Sequence, residues 1–239
     1  MELSIIIPVL NELENLPITI AHLQAGLPKS EIIVVDGGSR DGTREWLAKQ
    51  TDLAVLDAER GRGCQMRVGA SQATGNVLLF LHADCTLPAN AYDCIKQVLQ
   101  NPAVIGGAFV IQFAEAFPRS LPLIAKGINA RTRVTKTATG DQGIFVRRKV
   151  YESVGGFEGW PLFEDVNLVS KVKQHGKFVI IREPIVISGR RYIANGPWLT
   201  TFLMYALRIG YWAGIHPNRL YQWFADIRPH LQKRAGDSF

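Results

Sequence analysis

Short runs of β-branched and aliphatic residues recur through the first 113 positions, each followed by a stretch of helical pattern. Ile5 to Val9, Ile32 to Val35, Leu53 to Leu56, Val77 to Leu81 and Val104 to Phe113 predict strands. The intervening segments, Glu12 to Ala25, Asp41 to Lys49, Gln65 to Ala73 and Ala89 to Leu99, predict helices. Strands that are apolar throughout are buried on both faces, and right-handed crossovers place helices on both sides of the sheet. The alternation therefore predicts an α/β fold with a doubly wound, mostly parallel sheet flanked by helices.

From about residue 114 the order changes. An amphipathic stretch from Pro118 to Lys136 carries Lys126, Arg131, Arg133 and Lys136. It leads into Gly140-Asp141-Gln142-Gly143 and a strand from Ile144 to Val146. A helix from about Leu162 to Gln174, a strand from Phe178 to Ile187 and an aromatic helical segment complete the pattern. No Pro/Ser-rich linker, low-complexity tract or repeat separates the halves. One continuous domain over 1–239 is expected, in parts 1–113, 114–196 and a helical tail at 197–239, the second part supplying a different ligand surface from the first.

The tail's apolar run, Trp198 to Ile215, has Arg208 as its only charge. A spanning helix needs about 20 apolar residues, and an Arg near its centre adds roughly 2.5 to 3.5 kcal/mol on insertion scales. A helix packed on the core is expected. A helix lying at a membrane surface is the alternative.

Charge narrows the partners. Lys plus Arg number 27 against 21 Asp plus Glu, a formal net charge of +6 that favours anionic ligands or an acidic membrane face. Aromatic and basic residues do not interleave along any one run, so nucleic acid is not expected. Cys64, Cys85 and Cys94 are odd in number and lack CxxC spacing, which suggests neither a disulfide framework nor a thiolate zinc site. Met1-Glu2-Leu3-Ser4 runs straight into a strand without the basic and apolar regions of a leader. The expected location is the cytoplasm, at the inner face of the membrane if the tail meets lipid; oligomeric state is not read from the chain.

Candidate chemistry gathers where strands end. Asp36-Gly37-Gly38-Ser39-Arg40-Asp41-Gly42-Thr43 follows Ile32 to Val35, placing a carboxylate and turn glycines at the carboxyl edge where open α/β sheets bind ligands. Asp36 is suited to ribose hydroxyls or a base N–H, and equally to a capped βα turn. Pro8-Val9-Leu10-Asn11-Glu12 puts Asn11 and Glu12 on the same edge. Arg60-Gly61-Arg62-Gly63 offers a Gly/Arg loop for phosphate oxygens. The third glycine of the dinucleotide fingerprint is replaced by Met66, and no Walker loop is present. His82-Ala83-Asp84 ends the fourth predicted strand, where a single Asp84 suffices for Mg²⁺ or Mn²⁺ because phosphates and water supply the remaining ligands. Glu164 and Asp165 open a helix; being adjacent they do not share a face, so one acts and the other supports, or both complement the helix dipole.

Five segments carry a family resemblance: Ile5 to Glu12 (IIIPVLNE), Ile33 to Thr43 (IVVDGGSRDGT), Leu81 to Asp84 (LHAD), Gly140 to Phe145 (GDQGIF) and Phe163 to Asp165 (FED). In order and spacing the chain resembles family 2 glycosyltransferases of GT-A fold, in particular the non-processive bacterial branch that carries LHAD. The resemblance implies that Pro8, Asn11, Glu12, Asp36 and Gly38 hold the nucleotide of a nucleotide diphosphate sugar, with Arg62 near its phosphates. It implies Asp84 as the metal ligand of the family's D-x-D motif, with His82 in place of the first Asp, and Asp165 as catalytic base beside Glu164. Asp141, Gln142 and Trp160 would face the sugar or acceptor. Arg190 and Arg191, within Ser188-Gly189-Arg190-Arg191-Tyr192, would clamp the diphosphate. The processive Q-x-x-R-W motif is absent. The implied activity is inverting transfer of one sugar to a hydroxyl acceptor, a lipid among the candidates, assisted by Mn²⁺ or Mg²⁺. A nucleotide-sugar binding protein without transfer, or a nucleotidyltransferase, is the alternative.

Overall fold

A computed structural model describes residues 1–223. The first half runs β1 (Leu3–Val9), α1 (Leu16–Gly26), β2 (Glu31–Asp36), α2 (Thr43–Leu47), β3 (Ala54–Asp57), α3 (Arg62–Gln72), β4 (Val77–Phe80), β5 (Cys85–Thr86), α4 (Ala91–Val98) and β6 (Val104–Phe113). The second runs α5 (Ser120–Thr135), β7 (Ile144–Arg147), α6 (Arg148–Ser153), α7 (Glu164–Val172), β8 (Lys177–Ile187), α8 (Arg190–Asn195) and α9 (Pro197–Trp212). All eight strands join one sheet in the order β3-β2-β1-β4-β7-β6-β8-β5.

Strand direction decides where the functional loops fall. β1 to β4 are mutually parallel, so the segments after β1, β2 and β4 leave from one carboxyl edge. β7 runs antiparallel to both β4 and β6 and therefore begins at that edge, which delivers the 140–143 segment there. β6 and β8 are parallel to each other and end on the same side, so the chain after Ile187 also emerges there. Only the short edge strand β5 adds a further antiparallel pair.

The sheet is apolar on both faces. Ile5, Ile7 and Val9 of β1 pack with Leu16, Ile20 and Leu23 of α1, whereas Ile6 packs with Met66 and Ala70 of α3. This period-two division is the expected signature of a strand covered by helices on both sides.

Several boundaries differ from the sequence pattern for local reasons. α1 starts at Leu16 rather than Glu12 because residues 11–15 turn, with Asn15 and Leu16 both donating their N–H to Glu12 O. α3 starts at Arg62 rather than Gln65. Gly61 supplies a backbone at φ +146°, and Gly63 lets the first turn press on the loop ahead of α7, where a Cβ would meet Glu158 O at 2.2 Å. β5, α6 and α8, two to six residues each, carry too few positions for a period to register. The expected tail is realised as α9, and its positions 224–239 lie outside the described residues.

Gln65 secures the carboxyl edge. Its side chain is buried and donates from Nε2 to Val9 O and Val35 O, both at 2.8 Å, tying the ends of β1 and β2 together. Gln65→Leu keeps the volume but deprives those carbonyls of a donor, and is expected to lower unfolding free energy by about 1–3 kcal/mol in urea titrations.

Candidate active site

The carboxyl edge opens into a cavity of about 410 Å³. Its wall takes Glu12 from the turn after β1, Arg62 from α3, His82, Asp84 and Cys85 from the segment after β4, and Arg131 from α5. Gly140 and Asp141 precede β7, Asp165 lies in the first turn of α7, and Ser188, Arg190, Arg191 and Tyr192 follow β8. Helix α9 lies across it, contributing Thr200, Thr201, Met204, Tyr205 and Arg208.

Asp165 is fixed by backbone donors. Its Oδ2 accepts the Gly140 N–H at 2.6 Å and its Oδ1 the Val166 N–H at 2.6 Å. A Cβ added at Gly140 would meet His82 Nε2 at 2.6 Å, so a side chain there displaces the imidazole. Phe163, two residues before Asp165, adopts φ +63°, a left-handed conformation costly for a bulky side chain. Its ring is buried against Val166, Leu207 and Leu220, with Tyr211 of α9 at a centroid distance of 4.9 Å.

Glu164, adjacent to Asp165, points elsewhere. It does not line the cavity; it is 1% exposed and its Oε1 pairs with Arg62 Nε at 3.2 Å. Burial, offset in part by Arg62 and reinforced by Asp165, pushes its carboxyl up to about 7. Its role is to hold Arg62 against the wall.

Around Asp84 the charges alternate. Arg190 reaches Asp84 Oδ2 and Glu12 Oε2 at 4.0 Å each, and Glu14 at 3.9 Å. Burial raises the Glu12 carboxyl, which accepts from Asn15 Nδ2 at 2.7 Å. His82, Asp84 and Cys85 present ligand atoms within 4.8 Å of one another. Burial, then Arg62 and Arg191, depress the His82 imidazole to about 3, leaving it neutral, and its buried Nε2 has no hydrogen-bond partner. The Cys85 thiol is pushed well up by burial and stays protonated. This donor set fits a hard divalent cation held by the Asp84 carboxylate beside a neutral imidazole, with phosphate oxygens completing the shell.

Other expected residues stand apart from the wall. Asp36, 1% exposed, accepts the N–H groups of Gly38 at 2.9 Å and Ser39 at 3.0 Å, and also the Ser39 hydroxyl, with Arg44 Nε at 3.7 Å. Asn11, at φ +56°, accepts from Arg40 N at 2.8 Å and donates its own N–H to Ser39 Oγ at 2.8 Å. The two strand-end loops are thus laced together, and neither Asn11 nor Asp36 lines the cavity. Pro8 is buried in β1, past the last β1–β4 register pair, where its missing N–H leaves no rung of that ladder open. Gly38 is exposed on the rim.

Two acceptor-side expectations are corrected. Gln142 is fully buried, donating from Nε2 to Phe109 O at 3.0 Å while Oε1 accepts from Thr139 N at 3.1 Å, so it braces the 140–143 turn rather than facing a ligand. Trp160 packs edge-on to His216 at 5.8 Å and is not in the wall. Asp141 does line the cavity, with Oδ1 unpartnered. The residues that sequence reasoning missed are Arg131, Thr200, Tyr205 and Arg208. Arg208, the lone charge in an apolar run, was the available signal.

Residues 4–155 match the sequence family described as Glycosyl transferase family 2. The chain belongs to this family. It is 30% identical over 172 residues to Glycosyltransferase AglE of Haloferax volcanii, covering 64% of this chain and 55% of that protein. It is 35% identical over 157 residues to the undecaprenyl-phosphate 4-deoxy-4-formamido-L-arabinose transferase of Pectobacterium atrosepticum, covering 60% and 47%. The chain spans about half the length of these two relatives. Among solved structures it superposes on the mannosyltransferase PcManGT of Pyrobaculum calidifontis, captured with GDP-Man and Mn²⁺, at a TM-score of 0.61 and 20% identity, over 99% of this chain and 73% of that one. The GT-A type of mixed α/β sheet expected from the sequence is the fold of this family 2 member.

Because the folded-state carboxyl of Glu164 lies above its unfolded value of 4.5, the folded protein binds the extra proton between about pH 4.5 and 7. The contribution of Glu164 to stability therefore falls as pH rises through that window and is lowest above it. Glu164→Gln is expected to flatten the dependence of the urea midpoint on pH between those limits.

Proposed function

We propose that this chain transfers a single sugar from a nucleoside diphosphate sugar to a hydroxyl-bearing acceptor with inversion at the anomeric carbon, the described chain working as one catalytic unit. The observation that carries this reading is the meeting of Asp84 and Asp165 in one cavity, among arginines able to balance a diphosphate. The acceptor oxygen forms the new bond to the anomeric carbon as its proton passes to Asp165. The bond from that carbon to the diphosphate oxygen breaks, and its electron pair leaves on the nucleoside diphosphate. The backbone N–H groups of Gly140 and Val166 aim the Asp165 carboxylate. Arg190 and Arg62 lie where negative charge develops on the leaving group. A divalent cation, Mn²⁺ or Mg²⁺, held by Asp84 with His82 alongside, would supply further charge neutralisation at the diphosphate.

The outer face of α9 favours a lipid-linked acceptor at a membrane surface. Trp198, Phe202, Ile209 and Trp212 recur at spacings of four, seven and three and are each more than half exposed. The adjoining helix α5 is capped and studded by exposed Arg119, Lys126 and Arg133, complementary to anionic headgroups. No helix among the described residues is long and apolar enough to cross a membrane. Flotation with vesicles containing phosphatidylglycerol is expected to carry the protein upward at low salt, and Phe202→Glu to reduce the floated fraction.

Thermal-shift screening of nucleotide sugars with Mn²⁺ or Mg²⁺ identifies the donor, since a bound ligand raises the melting temperature. With that donor, Asp165→Asn is expected to leave nucleotide affinity intact and lower turnover by about 10²- to 10⁴-fold. Wild-type turnover in Asp165→Asn removes the assignment.

A further inference from the structure

Under α9 the cavity wall holds two arginines that the proposed transfer step does not use. Arg208 is only 5% exposed, and its Nη1 is buried without a hydrogen-bond partner. Arg131, rising from α5, lines the same cavity. Its Nη2 donates to Thr132 Oγ1 at 3.3 Å, and its Nε is buried and unpartnered. Thr200 lies two helical turns before Arg208 on the same face of α9, and its buried Oγ1 is also unpartnered. Three polar groups thus converge on one end of the cavity with bonding capacity unfilled. None of the ion pairs among the described residues involves Arg131 or Arg208.

Burying a guanidinium without a counter-charge is costly, and placing a second one beside it adds repulsion. The Arg208 guanidinium is correspondingly less basic than usual, through burial first and then the neighbouring Arg131, with Asp165 and Asp141 acting in the opposite sense. Those neighbours locate the pair on the Asp165 side of the cavity. Arg190, by contrast, pairs with Glu12 and Asp84 on the metal side.

We propose that Arg131, Arg208 and Thr200 form an anion subsite for the acceptor, and that the molecule receiving the sugar carries a phosphate monoester seated beneath α9. A dianion balances two guanidinium groups, each of which offers parallel N–H donors to phosphate oxygens, and the threonine hydroxyl supplies a third bond. Anchored there, the acceptor presents its hydroxyl to Asp165. The inference rests on the glycosyltransferase reading for the identity of the second substrate, whereas the anion site stands on the geometry alone.

The test is isothermal titration of the full chain with inorganic phosphate, with decyl phosphate below its micellar concentration and, separately, with UDP and GDP in the presence of Mn²⁺. Wild-type protein is expected to bind phosphate and decyl phosphate. Arg208→Gln and the less buried Arg131→Gln are each expected to weaken both by about tenfold or more while leaving nucleotide affinity unchanged. Tighter binding of decyl phosphate than of inorganic phosphate identifies a lipid headgroup as the source; equal binding identifies a small water-soluble phosphate ester. Phosphate affinity unaltered in both variants, or no binding by wild type, overturns the proposal. A parallel loss of nucleotide affinity also overturns it, because the pair would then serve the donor. If neither nucleotide binds while phosphate binding remains arginine-dependent, the subsite stands and the donor reading fails. Melting curves of both variants in anion-free buffer check folding: removing an uncompensated buried charge is expected to hold or raise the midpoint, and a lowered midpoint in both marks the arginines as structural.

Discussion

A single short hydrogen bond, from the backbone of Gly140 to the carboxylate of Asp165, joins the entrance of β7 to the start of α7 across 25 residues. The cavity depends on it. The antiparallel course of β7 brings residue 140 to the edge where the parallel strands end, and α7 must meet it there for the two halves of the chain to share a floor. A side chain at 140 would displace His82, whose imidazole occupies the space a Cβ would take. Three segments widely separated in sequence, at 82, 140 and 165, are therefore fixed by one packing constraint.

Around that constraint the cavity is organised by charge. Five arginines, Arg62, Arg131, Arg190, Arg191 and Arg208, share the wall with four carboxylates, Glu12, Asp84, Asp141 and Asp165. Their distribution is uneven. On the Asp84 side Arg190 bridges acidic groups, and behind the wall Glu164 restrains Arg62. On the α9 side Arg131 and Arg208 lack such partners among the described residues. A surface so divided suits the two ligands proposed above, one set among acidic residues, the other bringing its own negative charge to the arginines.

The sequence made the strands and their order of polarity legible, because fully buried strands such as Ile5 to Val9 leave an unbroken apolar run. Asp84 was legible as a carboxylate at the end of a predicted strand, whereas Asp165 was set apart from Glu164 only by the family resemblance. Side-chain direction was less accessible. Adjacency on a helix predicts that Glu164 and Asp165 face different ways, but which of them meets the cavity and which pairs with Arg62 depends on partners remote in sequence, Gly140 and Arg62. Gln142 looked like a ligand-facing amide, but its carbonyl and amide are consumed by Thr139 and Phe109. Arg208 was read as a cost to membrane insertion, when its place opposite Arg131 depended on the packing of α9 against α5, contacts remote in sequence that no local pattern encodes.

The left-handed backbone at Phe163 persists because its ring is trapped between α7 and the underside of α9, against Tyr211 and Leu207. A chain truncated ahead of Pro197 would lose that clamp, and the residue would be free to relax into an ordinary conformation, swinging the first turn of the following helix. Helix α9 is thus no detachable appendage. Its loss would shift Asp165 even where every residue lining the cavity outside α9 stayed the same.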